Sequence, residues 1–279
     1  MPTMIATDLA EFYGSRYDES IRLSSSIKGQ LELTRVRELV TRHMPLAATG
    51  RAVRVADIGC GTGVHAQWLR ADGYDVDLID PIRRHVETAR AAGLRAHLGD
   101  ARDLPWTDDR FDAALMAGPL YHLTDPDDRR TALGEAARVV RPGGLVAAVA
   151  FNRHANLLGA TLANQFLARR AIIDDIEATG FSHRNDRVSP ATYYHTLAEL
   201  AGEMSSVGLT NIAILGLTGP GGWLGIVIDA HFPDPARWPR TLTSQGPLET
   251  ALASARSADE HPELVPASTL WLAVGTVTT

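Results

Sequence analysis

The chain of 279 residues holds one cysteine, Cys60, which excludes an intramolecular disulfide and a thiolate-rich zinc site. No apolar run approaches the ~20 residues that span a bilayer. The start, Met1-Pro2-Thr3-Met4-Ile5, lacks the basic and apolar regions of a secretory signal. These absences predict a cytoplasmic protein with no membrane partner. Positive charge is not in excess either: 27 Lys and Arg against 33 Asp and Glu leave a formal net charge of −6, with no general pull toward phosphate backbones. No nucleic-acid partner is expected, and a small-molecule substrate is. Internal repeats and low-complexity tracts are missing, and no composition signal bears on oligomeric state. At 45% hydrophobic and 22% charged residues, the chain is neither disordered nor fibrous.

What is present is alternation. Residues from about Met4 to Met44 are helical in pattern, with Leu31, Leu33, Val36, Leu39 and Val40 as an apolar stripe. Strand patterns then occur at Val53–Ile58, Val76–Ile79, Leu94–Leu98, Phe111–Ala117 and Leu145–Phe151. Helical patterns separate them, and Arg141-Pro142-Gly143-Gly144 stops the helix that begins near Asp127. Such alternation predicts βαβ units and a parallel sheet, with Ile58, Leu78, Leu115 and Val149 in its core. The organisation read from this is an N-terminal helical cover (1–50), one half of a core (51–151), an inserted helical lid (152–190), and the rest of the core (191–279). The last part is expected to hold a helix from Ala191 to Val207, strands Asn211–Leu217 and Thr269–Val277, and a Pro-rich loop from Phe232 to Pro262 with a helix near Leu248–Ala255.

The richest stretch is Val55-Ala56-Asp57-Ile58-Gly59-Cys60-Gly61-Thr62-Gly63, an apolar strand ending in a glycine-rich turn that opens a helix. Glycines there allow positive φ and close approach of a ligand to backbone, and the helix adds a positive N-terminal end. Cys60 reads as a small packed residue inside that turn. In a doubly wound sheet the ligand lies beyond the carboxyl ends of the strands, and suggestive residues follow each one. Asp80 ends the second strand, Gly99-Asp100-Ala101 follows the third, and Gly118-Pro119-Leu120-Tyr121-His122-Leu123 the fourth. Each has a plainer reading: Asp80 as a cap of the next helix, Asp100 as a turn former, His122 as a packed histidine.

The ordered set of Asp57 to Gly63, Asp80, Gly99-Asp100-Ala101, Phe111-Asp112 and Arg141-Pro142-Gly143-Gly144 resembles the class I S-adenosylmethionine-dependent methyltransferases of small-molecule type, from about Val53 to Phe151. The resemblance implies an α/β, Rossmann-like, doubly wound and mostly parallel seven-stranded sheet with an antiparallel last strand. It implies S-adenosylmethionine as cofactor and no metal. Gly59 and Gly61 would lie under the methionine part, with Asp57 organising the turn. Asp80 would bind ribose, Ile82 would face adenine, Asp100 would accept from its amine and Ala101 would offer a backbone amide. The carbonyl near Ala117 would take the ammonium. Tyr17 and Arg22 resemble an N-terminal pair folded over the cofactor, Arg22 forking onto the methionine carboxylate, with a solvated arginine as the plainer alternative.

For the acceptor side, His122 is the candidate base, chosen because histidine titrates near neutrality, and Tyr121 and Tyr194 are candidate pocket walls. Tyr193, His195, His154 and His183 fit helix packing better. The acceptor atom, O, N or C, stays open. No Asn/Asp-Pro-Pro-aromatic motif follows the fourth strand and no Pro-Cys nucleophile exists, which speaks against nucleic-acid methylation. The alternatives are an NAD-dependent oxidoreductase, disfavoured because G-x-G-x-G departs from G-x-G-x-x-G, an inactive methyltransferase-like binding protein, and an enzyme acting on a peptide.

Overall fold

Short buried apolar runs separated by amphipathic segments are best hidden by laying helices on both faces of a parallel sheet. The computed structural model, which describes Leu9, Phe12, Tyr13 and residues 19–46, 50–183, 190–244 and 246–278, adopts that arrangement. A helical turn α1 (Glu19–Arg22) and helix α2 (Ile27–His43) precede β1 (Arg54–Ile58), α3 (Val64–Ala71), β2 (Asp75–Asp80), α4 (Arg83–Ala91), β3 (Arg95–Leu98), β4 (Phe111–Met116), α5 (Pro126–Val139) and β5 (Val140–Phe151). Then come α6 (Ala155–Leu162), α7 (Phe166–Thr179), the short strands β6 (Phe181–Ser182) and β7 (Thr192–Tyr193), and α8 (Leu197–Ser206). β8 (Leu209–Gly216), α9 (Gly221–His231), α10 (Arg240–Thr243), α11 (Pro247–Ser257) and β9 (Leu270–Val277) close the chain.

Seven strands lie in the order β3-β2-β1-β4-β5-β9-β8. The first five are parallel, and β9 runs antiparallel to both of its neighbours. On one face Val55, Leu78, Leu115 and Val149 meet Val36 and Leu39 of α2, Leu69 of α3 and Val86 of α4. On the other, Ile58, Ile79 and Met116 meet Leu133 of α5 and Leu200 and Met204 of α8. The connections leaving β1 and β4 go to opposite faces, so their turns diverge and open a crevice at the carboxyl ends.

Three expectations need correction. Arg141–Gly144 lies inside β5, not between elements: the register passes from Phe111 opposite Val140 to Ala113 opposite Leu145, so the Pro-Gly-Gly run is an excursion within one strand. The helix expected from Ala191 begins only at Leu197, because β7 pairs with β6 and Thr196 then caps α8 through a reciprocal bond with Glu199. The third concerns residues 218–231, for which the sequence reading named no element and which hold helix α9; at Gly221 a Cβ would fall 2.2 Å from the Ala251 carbonyl, so glycine there lets α9 lie against α11.

Charge is buried between α5 and α8, which lie on the same face of the sheet. Arg129 of α5 donates to both oxygens of Glu203 on α8 at 2.7–3.1 Å and to the Leu123 carbonyl at 2.9 Å. Its guanidinium sits 3.6 Å from the Tyr193 ring centroid, and His195 Nε2 lies 3.1 Å from Glu203 Oε2. Removing one member of such a pair strands the other without compensation. We predict that Glu203→Ala lowers unfolding free energy in urea by about 3–5 kcal/mol; an unchanged midpoint would contradict this.

Candidate functional site

The crevice is built from turns that must satisfy their own backbone. Past Ile58 the chain turns through Gly59 (φ 71°) and Gly61 (φ 55°), and the Gly59 and Cys60 amides both donate to the Ile79 carbonyl at 2.8 and 3.1 Å. A Cβ on Gly59 would fall 2.8 Å from Pro119 Cδ, so only glycine lets the two turns approach this closely. Asp80, at the end of β2, accepts from the Gly61 amide at 2.8 Å with one oxygen and from the Ile82 amide at 2.9 Å with the other. Asp80 thus bridges the glycine turn and the segment leading into α4, whose N-cap residue is Ile82 and has no side-chain cap.

Around this turn lies a crevice with about 950 Å³ of empty space, its mouth included. Of the residues singled out from the sequence, Gly59, Gly61, Asp80, Ile82, Asp100, Ala101, Ala117, Tyr121, His122 and Arg22 line it. Tyr17 lies outside the described residues. Asp57 does not reach the crevice; it is fully buried, and neither of its carboxylate oxygens has a hydrogen-bond partner among the described residues, so no bond to the turn supports the organising role expected of it. Tyr194 does not line the crevice either; its ring stands 5.5 Å from Phe151, which in turn stands 4.4 Å from Tyr121. None of the described residues of 152–183 lines it, so the expected lid does not cover this space. The roof is N-terminal: Leu9, Tyr13, Glu19, Arg22 and Leu23.

The electrostatics revise several roles. His122 Nε2 is 3.0 Å from the Tyr13 hydroxyl, while Nδ1 is buried with no hydrogen-bond partner among the described residues. Burial, with Arg22 nearby, brings its pKa down to about 3. The expectation that His122 titrates near neutrality is thus wrong for this environment. Arg22 is no solvated surface group: Nε donates to Glu19 at 2.6 Å and Nη1 to both oxygens of Glu32 at 3.0 and 3.1 Å. Asp100 receives Arg102 in a fork, at 2.9 and 2.6 Å. Burial raises its pKa, but these bonds outweigh that and hold the carboxyl below its usual range. The Cys60 thiol is pushed well up by burial, so it stays protonated and packs as a small residue. Tyr193 and His195 belong to the buried Arg129 network. His154 is exposed beside Glu177 at 2.6 Å, and His183 is also exposed.

Sequence reasoning missed Tyr13, Glu19 and His85, which all line the crevice. The i,i+3 spacing of Glu19 and Arg22 on one helical turn was the available signal for Glu19. His85 Nδ1, 3.1 Å from Asp80 Oδ1, had none.

Comparison with known proteins adds to this geometry. Residues 55–144 match the methyltransferase domain family. The chain carries a methyltransferase domain, on a sheet of the class I S-adenosylmethionine-dependent kind. It is 38% identical over 135 residues to an uncharacterized methyltransferase of Mycobacterium tuberculosis, a match covering 47% of this chain and 52% of that protein. It is 33% identical over 108 residues to an O-methyltransferase of Aspergillus nomiae, covering 35% and 46%. The matched stretch thus spans about half the length of these relatives. A probable tRNA methyltransferase 9B of Homo sapiens is 35% identical over 112 residues, covering 39% of this chain and 22% of that protein. Among solved structures, a methyltransferase from Thermotoga maritima described as a possible histamine N-methyltransferase superposes with a TM-score of 0.57 at 18% identity, covering 98% and 99% of the two chains. The same architecture, with an antiparallel strand between β5 and β8, sets this methyltransferase domain apart from the all-parallel dinucleotide-binding order.

Asp57 yields a test of the buried turn. Burial first, and then the Asp80 charge, raise its pKa from 3.8 to about 7; the Ala66 amide offsets part of this without reaching hydrogen-bond geometry. A carboxyl raised on folding binds more protons in the native state, so its contribution to stability falls as pH rises through that window. Denaturant titrations should show the unliganded wild type losing stability relative to Asp57→Asn between these two pH values; parallel pH curves would contradict the raised pKa.

Proposed function

We propose that this chain transfers a methyl group from S-adenosylmethionine to a small-molecule acceptor. The carrying observation is a roofed crevice whose wall chemistry follows the parts of that cofactor in order. Asp80 would hold the ribose diol, Ile82 would lie against adenine, and the Ala101 amide and Asp100 would meet the edge of the base. Gly59, Gly61, Arg22 and the Ala117 carbonyl would hold the methionine end. The cofactor, when bound, supplies an electrophilic sulfonium methyl.

The chain's own work is then to align an acceptor and exclude water, and such positioning is worth up to about 7–11 kcal/mol. The roof of Leu9, Tyr13 and Leu23 excludes water. Tyr13 and Tyr121 flank His122, with ring centroids 5.8 and 4.6 Å from its own. A base is most effective with a pKa near the working pH, so a histidine brought down to about 3 serves as a neutral hydrogen-bonding wall for the acceptor, not as the main proton sink. A small acceptor suits the acidic chain, the roof and the Gly118-Pro119-Leu120-Tyr121 turn better than a polynucleotide does.

The test is transfer of a labelled methyl group from S-adenosylmethionine into a panel of small alcohols, amines and carbon acids, with bulk tRNA and a peptide pool alongside. Label in the small-molecule fraction is expected; label confined to tRNA or peptide would overturn the acceptor class, and cofactor binding without any transfer would mark a binding protein. Two variants sharpen it. Asp80→Ala should weaken cofactor binding by about 1–3 kcal/mol through lost hydrogen bonds to a carboxylate. The wild-type pH–rate profile should lack a histidine inflection near about 6.5, and one that vanishes in His122→Ala would restore His122 as the base.

A further inference from the structure

Apolar surface left in water collects on one helical hairpin. Of the nine large apolar side chains exposed among the described residues, five lie between positions 157 and 172: Leu157, Leu158 and Leu162 on α6, and Leu167 and Ile172 on α7. A single exposed apolar side chain is ordinary, but a cluster of this kind marks a surface that another body covers. The hairpin is held at its base, where His154 at the start of α6 stands 2.6 Å from Glu177 near the end of α7. At about 100° per residue, the buried Ile173 and Ile176 fix the inward side of α7. Its outward side then carries Leu167, Ala171 and Ala178, all exposed, with Leu167 at 84%. Arg170 and Asp174 lie together on one flank of that side, both largely in solvent and 3.3 Å apart.

The order of charge along the helix decides what covers it. Asp174, Asp175 and Glu177 outnumber Arg169 and Arg170 on this hairpin, so it offers no net attraction to an anionic bilayer. Set antiparallel to itself, however, α7 is its own complement. A two-fold axis perpendicular to both helices brings the same flank of each together, so that Arg170 of one copy meets Asp174 of the other on both sides of the axis. Small Ala171 and Ala178 let the backbones approach, Leu167 of each copy packs against the far end of the other helix, and the opposed helix dipoles attract. We propose that α7 is the contact through which two copies of this chain associate, antiparallel and two-fold, with Arg170 of each paired to Asp174 of the other. One helix from each copy covers less than the ~800 Å² a side of a standard interface, so the dimer is weak and forms with rising concentration. The contact uses no residue that lines the crevice and is independent of the methyl-transfer reading.

Sedimentation equilibrium over a concentration series tests it. The wild type should pass from 30.1 kDa toward twice that mass as concentration rises. Leu167→Asp should stay at the monomer mass, with an unchanged melting temperature because that side chain already lies in water. Arg170→Glu sets acid against acid on both sides of the axis and should weaken association by about 10-fold or more; adding Asp174→Arg to it should restore the dimer. A wild type that stays monomeric throughout would overturn the proposal, as would a dimer that Leu167→Asp leaves intact or a charge exchange that fails to rescue. Flotation with anionic lipid vesicles is run alongside: binding by the wild type that is lost in Leu167→Asp would give this face to a lipid surface and overturn the dimer contact too.

Discussion

The carboxylate of Asp80 joins the glycine turn after β1 to the segment leading from β2 into α4, and it adds to the bonds that the Gly59 and Cys60 amides give the Ile79 carbonyl. The glycine turn after β1 exposes amide groups because its positive-φ residues cannot continue strand or helix pairing, and a buried amide without a partner is costly. One Asp80 oxygen satisfies the Gly61 amide and the other satisfies Ile82 at the entrance to α4. The turn is thereby fixed against β2, and an acid lines the floor of the crevice, where the proposed function sets the ribose. The same charge, sitting close to Asp57, helps to push that second acid up. Burying two acids behind a glycine turn is tolerable in a site made to receive a cationic, hydroxyl-bearing ligand, and hard to explain in a purely structural turn.

From this floor the rest of the site follows by packing. Pro119 closes on Gly59 and sets the start of the segment that carries Tyr121 and His122. Arg102 clamps Asp100 on the far side, and α1 lays Glu19 and Arg22 over the glycine turn. The Arg129–Glu203–His195 network serves a different end: it ties α5 to α8 on one face of the sheet, and it engages Tyr193 and His195 away from the crevice. Tyr193 and Tyr194, adjacent in sequence, thus end in separate environments, the first against the Arg129 guanidinium and the second beside Phe151.

The sheet and its crevice were legible in the sequence because both are written locally. Continuous apolar runs such as Phe111–Met116, and the glycine turn with its acids at the strand ends, specify βαβ units without knowledge of distant contacts. The ionisation of His122 was not legible, since it depends on burial and on Arg22, 100 positions earlier in the chain. Nor were the roles of Tyr13 and Glu19, carried on a segment with weak periodicity and few markers. Thr196-Leu197-Ala198-Glu199 did carry a capping-box signal, and reading it would have placed the start of α8 correctly. The start of α9 was not legible because its two glycines serve distant contacts, Gly221 with Ala251 of α11 and Gly222 with Thr218 and Thr269.

The most direct test of the account is a crystal structure of the protein with S-adenosylhomocysteine. The account predicts the ligand in the roofed crevice, its ribose on Asp80, its adenine against Ile82 and its amino-acid end beneath α1. A ligand seated elsewhere, or a ribose that does not touch Asp80, would contradict it.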